Sequence, residues 1–280
     1  MKIAVLGDIH SNHLALEACL ARIEKLHIHH LLFLGDYISD CACPEVTLNL
    51  LRGVQTSHST LFIRGNRENY MLSHQASPFP GWVRGSRYGS LLYTYSHLSE
   101  ADLTWFAQMP IVDKTAYNAL PAITLCHGSP ARDRGILLPD SDEMCDVLHS
   151  METQLLLCAH THTPFIHHWS NRTVVNGGTV GLPENGIPEA QFATVEYRNG
   201  GWIPELHHVP YDIEGAVREI HTSGLAEWAN VWAKAITKSL RTAESYAIRC
   251  LRLVEQIKTT PTAPPDDEAC WAYAAKQLDL

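Results

Sequence analysis

The 280-residue sequence is poor in charged residues, and the charge it carries is mostly negative. Asp, Glu, Lys and Arg make up 18% of the chain, below the quarter that is usual for globular domains. Hydrophobic residues make up 45%, which is enough for a sizeable core and excludes a disordered chain. The formal net charge of −9 argues against a surface that attracts nucleic acid, so a nucleic-acid partner is not expected.

Long apolar runs and a disulfide framework are also missing. No run approaches the roughly 20 apolar residues needed to cross a bilayer, and no secretory signal is visible at the start, MKIAVLGDIH. Several of the eight cysteines lie in apolar runs, which is typical of buried thiols in a reducing compartment. The spacing of Cys41 and Cys43 is too short for the common zinc knuckles. We therefore expect a cytoplasmic protein without a membrane partner; the oligomeric state is left open.

Strand and helix patterns alternate along the first third of the chain. Buried strands are predicted for KIAVLGDIH, HHLLFLGDYIS and STLFIRGN. Helices are predicted between them for SNHLALEACLARIEKL, with Ser11 or Asn12 as N-cap, and for EVTLNLLRGV. This alternation indicates parallel strands joined by helical crossovers, with polar residues gathered at the C-terminal ends of the strands.

The middle of the chain has a less regular pattern. Residues 70–98 are rich in Gly, Pro, Ser and aromatics, which predicts a loop-rich insertion over a site. A short helix capped by Ser99 is predicted next. Later strands are predicted for PAITLCHGSP, TQLLLCAHTHTP and RTVVNGGTVG, followed by a hairpin that turns at Asn199-Gly200-Gly201.

Helical patterns dominate after Tyr211. They predict a short helix to Gly224, a long and bent helical stretch to about Lys258, and a last helix after the break PTAPPDD. We expect one domain over residues 1–212 and a C-terminal helical extension over 213–280 that packs on or caps the core. Five basic residues share roughly one face of the long stretch and form either a solvated face or a lid over a phosphate-rich ligand: Lys234, Lys238, Arg241, Arg249 and Arg252.

Five of the predicted strand ends carry residues that bind metals. They are GDIH, LGDY, RGNRE, CHGSP and CAHTHTP. Asp8 and His10 have strand spacing, which would point both side chains to one side, and the same holds for His160 and His162. Imidazole and carboxylate together suit Zn, Mn and Fe. The set is too large for one metal and fits two metals sharing a carboxylate, roughly 3.5–4 Å apart.

In this order the five stretches resemble the motifs of the calcineurin-like metallophosphoesterases, in particular the small bacterial branch. The family pattern is D-x-H, G-D, G-N-H-[DE], H and G-H-x-H. The resemblance spans residues 3–182 and includes VVNGGTVGLP, which is similar to the family's N-P-G-S-x-G segment. It implies an α/β fold with a layered β-sandwich core flanked by helices. It also implies two divalent or trivalent transition-metal ions, Mn, Fe or Zn, and a small phosphorylated substrate.

The resemblance also implies a role for each matching residue. Asp8, His10 and His162 would hold the first metal. Asn66, His127 and His160 would hold the second, and Asp36 would bridge the two. A hydroxide between the metals would attack phosphorus in line. Asn12, just past the first motif, is a candidate for substrate binding as well as for the N-cap.

Two residues depart from the family pattern. Ala159 replaces the Gly before His160, and Arg67 replaces a His that stabilises the transition state and protonates the leaving oxygen. Arginine cannot release a proton near neutral pH, but it can donate hydrogen bonds to phosphate and hold a fixed charge. We expect Arg67 to be catalytic and substrate-binding, and the substrates to have good leaving groups. His13 is an alternative acid, although a place on the helix surface is the simpler interpretation.

The resulting prediction is a metal-dependent phosphoesterase for a small nucleotide-type or activated phosphate. One alternative is a non-catalytic scaffold or binding protein on the same fold, which would fold fully without metal. Another is a nuclease, which the negative charge and the lack of a basic stripe disfavour. Four arginines lie in predicted loops and are candidates for clamping a second phosphate: Arg84, Arg87, Arg132 and Arg134.

Overall fold

The computed structural model describes residues 1–117, 120–261 and 263–280. The strands of this part of the chain are β1 Lys2–Leu6, β2 His30–Phe33, β3 Ser59–Phe62, β4 Val112–Thr115, β5 Ile123–Cys126, β6 Leu155–Cys158, β7 Phe165–Trp169, β8 Arg172–Asn176, β9 Ala190–Arg198 and β10 Gly201–Val209. The helices are α1 His13–Lys25, α2 Pro44–Ser57, α3 Asn66–Ala76, α4 Gly89–Ser96, α5 Glu100–Gln108, α6 Asp142–Ser150, α7 Ile213–Thr222, α8 Leu225–Ala229, α9 Val231–Thr242, α10 Tyr246–Lys258 and α11 Asp267–Gln277.

The strands form two mixed sheets with the orders β10-β9-β1-β2-β3 and β4-β5-β6-β8-β7. In the first sheet β1, β2 and β3 are parallel, and in the second β5, β6 and β8 are parallel. Fully buried aliphatic side chains from both sheets meet in one cluster, for example Val5 and Leu32 from the first with Leu125 and Leu157 from the second. The predicted α/β fold, a layered β-sandwich flanked by helices, is therefore confirmed.

The first crossover shows how the sequence builds these layers. In α1 the residues Ala15, Leu16, Cys19 and Ile23 recur at helical spacing, and all four are buried. Asn12 is the N-cap, because its Oδ1 accepts a hydrogen bond from the backbone N–H of Ala15 at 3.2 Å. The helix thereby returns the chain from β1 to the start of the parallel strand β2.

Two predicted segments are wrong in detail. Residues 70–98 are not mainly loop, because α3 continues to Ala76 and α4 occupies Gly89–Ser96; only 77–88 between them is irregular. The long helical stretch is three helices rather than one. Asn230, with a positive φ of 45°, separates α8 from α9. Ala243, with a positive φ of 52°, ends α9 before α10 begins.

The C-terminal helices α7–α11 form a cluster of their own that also contacts the rest of the chain. Ile236, Leu240 and Trp271 are buried there together with Ala42 and Leu182. The boundary between residues 212 and 213 stays a prediction. Within the described residues, every helix is too short or too polar to cross a membrane.

The five basic residues of this region point to the surface rather than to a ligand. Arg241 pairs with Glu214, and Arg249 pairs with Glu244. Lys238 donates to the backbone oxygen of Leu278 at 2.9 Å. Lys234 and Arg252 are exposed. These positions favour the solvated face over the lid.

Candidate metal centre

The residues predicted to bind metal lie after the strands rather than on them: six are in loops, and Asn66 is the first residue of α3. Asp8, His10, Asp36, His160 and His162 have φ values between 51° and 68°. The strand-spacing argument is therefore wrong, although the side chains do converge. Non-glycine residues rarely adopt this left-handed conformation, and such strain is concentrated at functional sites.

Hydrogen bonds between loops hold this unusual backbone in place. The backbone N–H groups of Ile9 and His10 both donate to the carbonyl oxygen of Asp36, at 2.8 and 3.0 Å. The backbone N–H of Asp8 donates to Gly35 at 3.0 Å. The loops after β1 and β2 are thus locked together, which brings Asp8, His10 and Asp36 to one place.

Two close backbone contacts explain why small residues precede the site residues. A Cβ on Gly35, whose φ is 91°, would lie 2.4 Å from the backbone nitrogen of Gly65, so neither backbone has room for a side chain there. A Cβ on Gly7 would lie 2.9 Å from the Cβ of Ala159. The Ala159 methyl therefore fills space that Gly7 leaves open, which is why this departure from the family pattern fits the fold.

Six of the seven residues predicted to bind metal form two adjoining groups, and the seventh, Asn66, lies beside the second group. The first group is Asp8, His10 and His162, and the second is Asp36, His127 and His160; within each group one ligand atom per residue lies within 4.8 Å of the others. The Nε2 atom of His127 lies 3.2 Å from Oδ1 of Asn66, 3.4 Å from Oδ2 of Asp36 and 3.9 Å from Oδ1 of Asp8. His127 thereby connects the second group to the first.

The hydrogen bonds of the imidazoles determine which nitrogen faces the centre. Nδ1 of His127 lies 2.7 Å from the carbonyl oxygen of Leu34, and Nδ1 of His162 lies 2.9 Å from that of Leu182. A carbonyl oxygen only accepts, so each Nδ1 carries a proton and each Nε2 of a neutral ring has a lone pair. Such outer hydrogen bonds are usual for metal-binding histidines.

The Nε2 atom of His162 faces that of His10. Nε2 of His10 and Nε2 of His162 are 3.0 Å apart, and both lie within 3.9 Å of Oδ1 of Asp8. The Oδ1 atom of Asp8 is buried and has no hydrogen-bond partner in the described chain. Two neutral nitrogens facing each other beside a buried carboxylate repel unless a proton or a cation lies between them. The side chains present therefore fit a cation.

The pKa shifts follow from this crowding. Burial by itself would raise the pKa of Asp8, but the neighbouring His162 and His127 outweigh burial and lower it. Burial would lower the pKa of His127, but Asp36 raises it to about 10; in the same way Asp8 raises the pKa of His162 to about 9. Burial and the nearby His127 lower the pKa of His160 to about 4, so that ring is neutral at pH 7.

Arg67 lies at the edge of the centre and is held by two carboxylates. Its Nη2 is 2.9 Å from Oδ2 of Asp40, and its Nε is 3.8 Å from Oδ2 of Asp36. Asp40 also accepts a hydrogen bond from the indole N–H of Trp232 at 2.9 Å, and its Oδ2 lies 3.1 Å from Nδ1 of His10. Sequence reasoning missed Asp40 and Trp232 here. The only signal for Asp40 is a carboxylate four residues after Asp36.

Other candidate residues have structural partners. The side chain of Asn12 is buried; besides capping α1 it donates to the backbone oxygen of Gly181 at 2.9 Å. This geometry does not favour the predicted role of Asn12 in substrate binding. Nε2 of His13 lies 2.8 Å from Glu219, and His13 does not line the chamber at the metal centre, so it is badly placed as a substitute acid.

The space above the centre is a small chamber of about 120 Å³. Its walls include five of the seven metal-centre residues, Arg67, and the side chains of Ile236, Ala247 and Ile248 from α9 and α10. The C-terminal helices therefore cover the centre with apolar side chains. His160 also faces a wider cleft of about 770 Å³ that is lined by Arg132 and Arg134.

The fold and the site together define a class of protein: an α/β sandwich of two mixed sheets with a candidate metal centre, built from carboxylates and imidazoles, at one edge of the sheets. The family model described as the calcineurin-like phosphoesterase superfamily domain matches residues 1–200. The chain belongs to this superfamily, which the sequence motifs predicted. The family is one of metallophosphoesterases.

One relative and two solved structures are similar to most of this chain. An uncharacterized protein of Methanocaldococcus jannaschii is 25% identical over 245 residues, covering 81% of this chain and 94% of the relative. A metallophosphoesterase structure from Sphaerobacter thermophilus has a TM-score of 0.69 at 21% identity, covering 87% of this chain and 99% of that one. A hypothetical protein from Pyrococcus horikoshii has a TM-score of 0.72 at 21% identity, covering 84% and 97%. These two structures share the fold.

Proposed function

We propose that the protein is a phosphohydrolase with a dinuclear metal centre that acts on a small activated phosphate ester or anhydride. The observation that carries the proposal is the convergence of imidazole Nε2 atoms and buried carboxylates, with His10 and His162 at 3.0 Å. Arrangements of this kind bind Zn, Mn or Fe. The narrow chamber, about 120 Å³, supports a small substrate rather than a nucleic-acid duplex.

The residues of the chain would divide the work as follows. Asp8, His10 and His162 would hold one ion, Asn66, His127 and His160 the other, and Asp36 would contact both. When bound, the ions would supply a polarised water and neutralise charge on the phosphoryl oxygens. Ile236 and Ile248 would exclude bulk water from the chamber, which strengthens every electrostatic interaction inside it.

Arg67 would stabilise negative charge without moving a proton. Its guanidinium borders the chamber and is fixed by Asp40, so it presents a permanent positive charge at a defined place. Losing general acid catalysis typically costs about 10²–10⁴-fold in rate. The cost is smallest for good leaving groups, which favours phosphoanhydrides, nucleotide polyphosphates and aryl phosphates over alkyl phosphates.

The test combines metal analysis with a substrate panel. Protein loaded with Mn, Fe or Zn is analysed for metal content and assayed with p-nitrophenyl phosphate, its bis ester and diadenosine polyphosphates. We expect about two ions per chain and metal-dependent turnover. Asp36→Asn should lose both, while Asp146→Asn, the same change at an exposed position of α6, should keep both. A fully folded protein that binds no metal and hydrolyses nothing would instead support a scaffold.

A further inference from the structure

A second cavity lies on the far side of Arg67 from the metal chamber. Its volume is about 500 Å³, within the range of roughly 300–1,000 Å³ that is usual for small-molecule sites. The cavity and the chamber share three lining residues, Asp40, Arg67 and Trp232. A ligand in the cavity would therefore reach the metal centre past the Arg67 side chain, which is 20% exposed.

The walls of this cavity are aromatic. Tyr70, Phe79, Trp82 and Tyr88 line it, and the last three belong to the irregular segment between α3 and α4. Phe79 is 51% exposed, so part of its ring is open to solvent. The ring of Trp82 is braced by His74, which stacks on it with centroids 4.1 Å apart.

The lining of the cavity is polar as well as aromatic. Ser73, Ser77 and Ser90 are among the lining residues and carry hydroxyl groups; that of Ser90 also accepts a hydrogen bond from the backbone N–H of Asp40. Among the described lining residues only Leu91 and Leu251 are aliphatic, which is too little for an acyl chain. Aromatic faces together with hydroxyl groups suit a flat heterocycle, which stacks on rings and forms hydrogen bonds along its edges.

Three arginines line the cavity, and two of them also line spaces next to the metal centre. Arg87 lines the cavity but is occupied by Asp267, at 3.1 Å. Arg134 makes no ion pair with the described residues, and it lines both the cavity and the wide cleft at His160. Arg134, together with Arg67, whose charge is partly balanced by Asp40, thus places positive charge on the side of the cavity that faces the metal centre.

We propose that the aromatic cavity binds the base of a nucleotide whose phosphates extend past Arg67 to the metal centre. This inference rests on the proposed function and adds the substrate class to it. Base stacking would be supplied by Phe79 and Trp82, and phosphate binding by Arg67 and Arg134. The organic part of the substrate, and not only its phosphate, would then decide which compounds are hydrolysed.

The first test measures binding without turnover. Calorimetry compares AMP with ribose 5-phosphate, which lacks only the base, on the metal-free protein. We expect AMP to bind roughly tenfold more tightly, the effect of stacking one base. Phe79→Ala and Trp82→Leu should remove this preference, whereas Trp169→Leu, at an exposed tryptophan on β7, should keep it. Equal binding of the two ligands by the unmodified protein would overturn the inference.

The second test separates the inference from the proposed function. The ratio of kcat/KM for ATP to that for tripolyphosphate should fall roughly tenfold in Phe79→Ala. Because Phe79 is half-exposed, this variant remains informative if Trp82→Leu fails to fold. A protein that hydrolyses both compounds with an unchanged ratio in Phe79→Ala refutes the base site alone. A metal-loaded protein that prefers AMP, yet hydrolyses neither these two compounds nor p-nitrophenyl phosphate, its bis ester and diadenosine polyphosphates, refutes the phosphohydrolase and keeps the base site.

Discussion

The ion pair between Arg67 and Asp40 should contribute substantially to stability, and a double-mutant cycle can measure it. Asp40 is 1% exposed and the Arg67 side chain is 20% exposed, so removing one partner leaves a poorly solvated charge. Breaking a buried pair costs about 3–5 kcal/mol. Asp36 remains 3.8 Å from Arg67 and still compensates part of its charge. We therefore expect Asp40→Ala to lower the free energy of unfolding by about 3 kcal/mol, the lower end of this range. In Arg67→Ala, Asp40 keeps its hydrogen bond from Trp232, so we expect the free energy of unfolding to fall by about 2 kcal/mol.

The cycle compares Arg67→Ala, Asp40→Ala and the double variant by urea unfolding of metal-free protein at pH 7. We expect a coupling of about 2 kcal/mol between the two residues. The exposed pair Arg241–Glu214 is the matched control and should give about 0.2–1 kcal/mol. Burial would raise the pKa of Asp40, but Arg67 and His10 lower it. The stabilisation is therefore complete above about pH 4 and is lost as the pH falls further. A coupling no larger than that of the surface pair would refute this reasoning.

Three further predictions follow from the same region. Arg67→His restores a side chain that can donate a proton to the leaving oxygen. The ratio of kcat/KM for an alkyl phosphate to kcat/KM for an aryl phosphate should therefore rise about tenfold or more. An unchanged ratio contradicts the role given to Arg67. Glu68 accepts hydrogen bonds from three backbone N–H groups, so Glu68→Gln should lower the free energy of unfolding by about 2 kcal/mol, while the exposed Glu100→Gln should not. His127 and His162, whose pKa values are raised to about 10 and 9, are protonated at pH 7 without metal, so Zn binding should release about one or two protons. Metal affinity should then rise with pH up to about 10, and calorimetry in two buffers that shows no proton release would contradict this. In the metal-free protein the same raised pKa values add stability below about pH 6.5, which is lost as the pH rises past 9 to 10.

The metal-centre residues could be predicted from the sequence because each follows an apolar run and has a chemically specific side chain. Their backbone conformation could not. Asp8 and His10 look like the end of a strand, yet hydrogen bonds from the β1 loop to the Asp36 carbonyl force them into left-handed conformations. Those bonds join residues that are more than 25 positions apart, so no local pattern announces them.

The contacts of Arg67 could not be predicted from the sequence for a similar reason. The sequence identifies Arg67 as unusual, but Trp232, which fixes its partner Asp40, lies 192 positions beyond Asp40 in the chain. The same applies to the aromatic cavity. The composition of residues 70–98 predicts an irregular segment over the site, and 77–88 is one. That Phe79 and Trp82 line one cavity follows only from the packing of this segment against α3, α4 and α10.

The two sheets contribute different members of the metal-centre set, with Asp8 and Asp36 on loops of one and His127 and His160 on loops of the other. During synthesis, the set of metal-centre residues is therefore incomplete until the strands of the second sheet have been made. The helices that carry Ile236 and Ile248 are made later still and close over the centre. The chamber over the centre is therefore complete only after the last third of the chain has folded, and the cleft at His160 and the cavity beside Arg67 remain as its approaches.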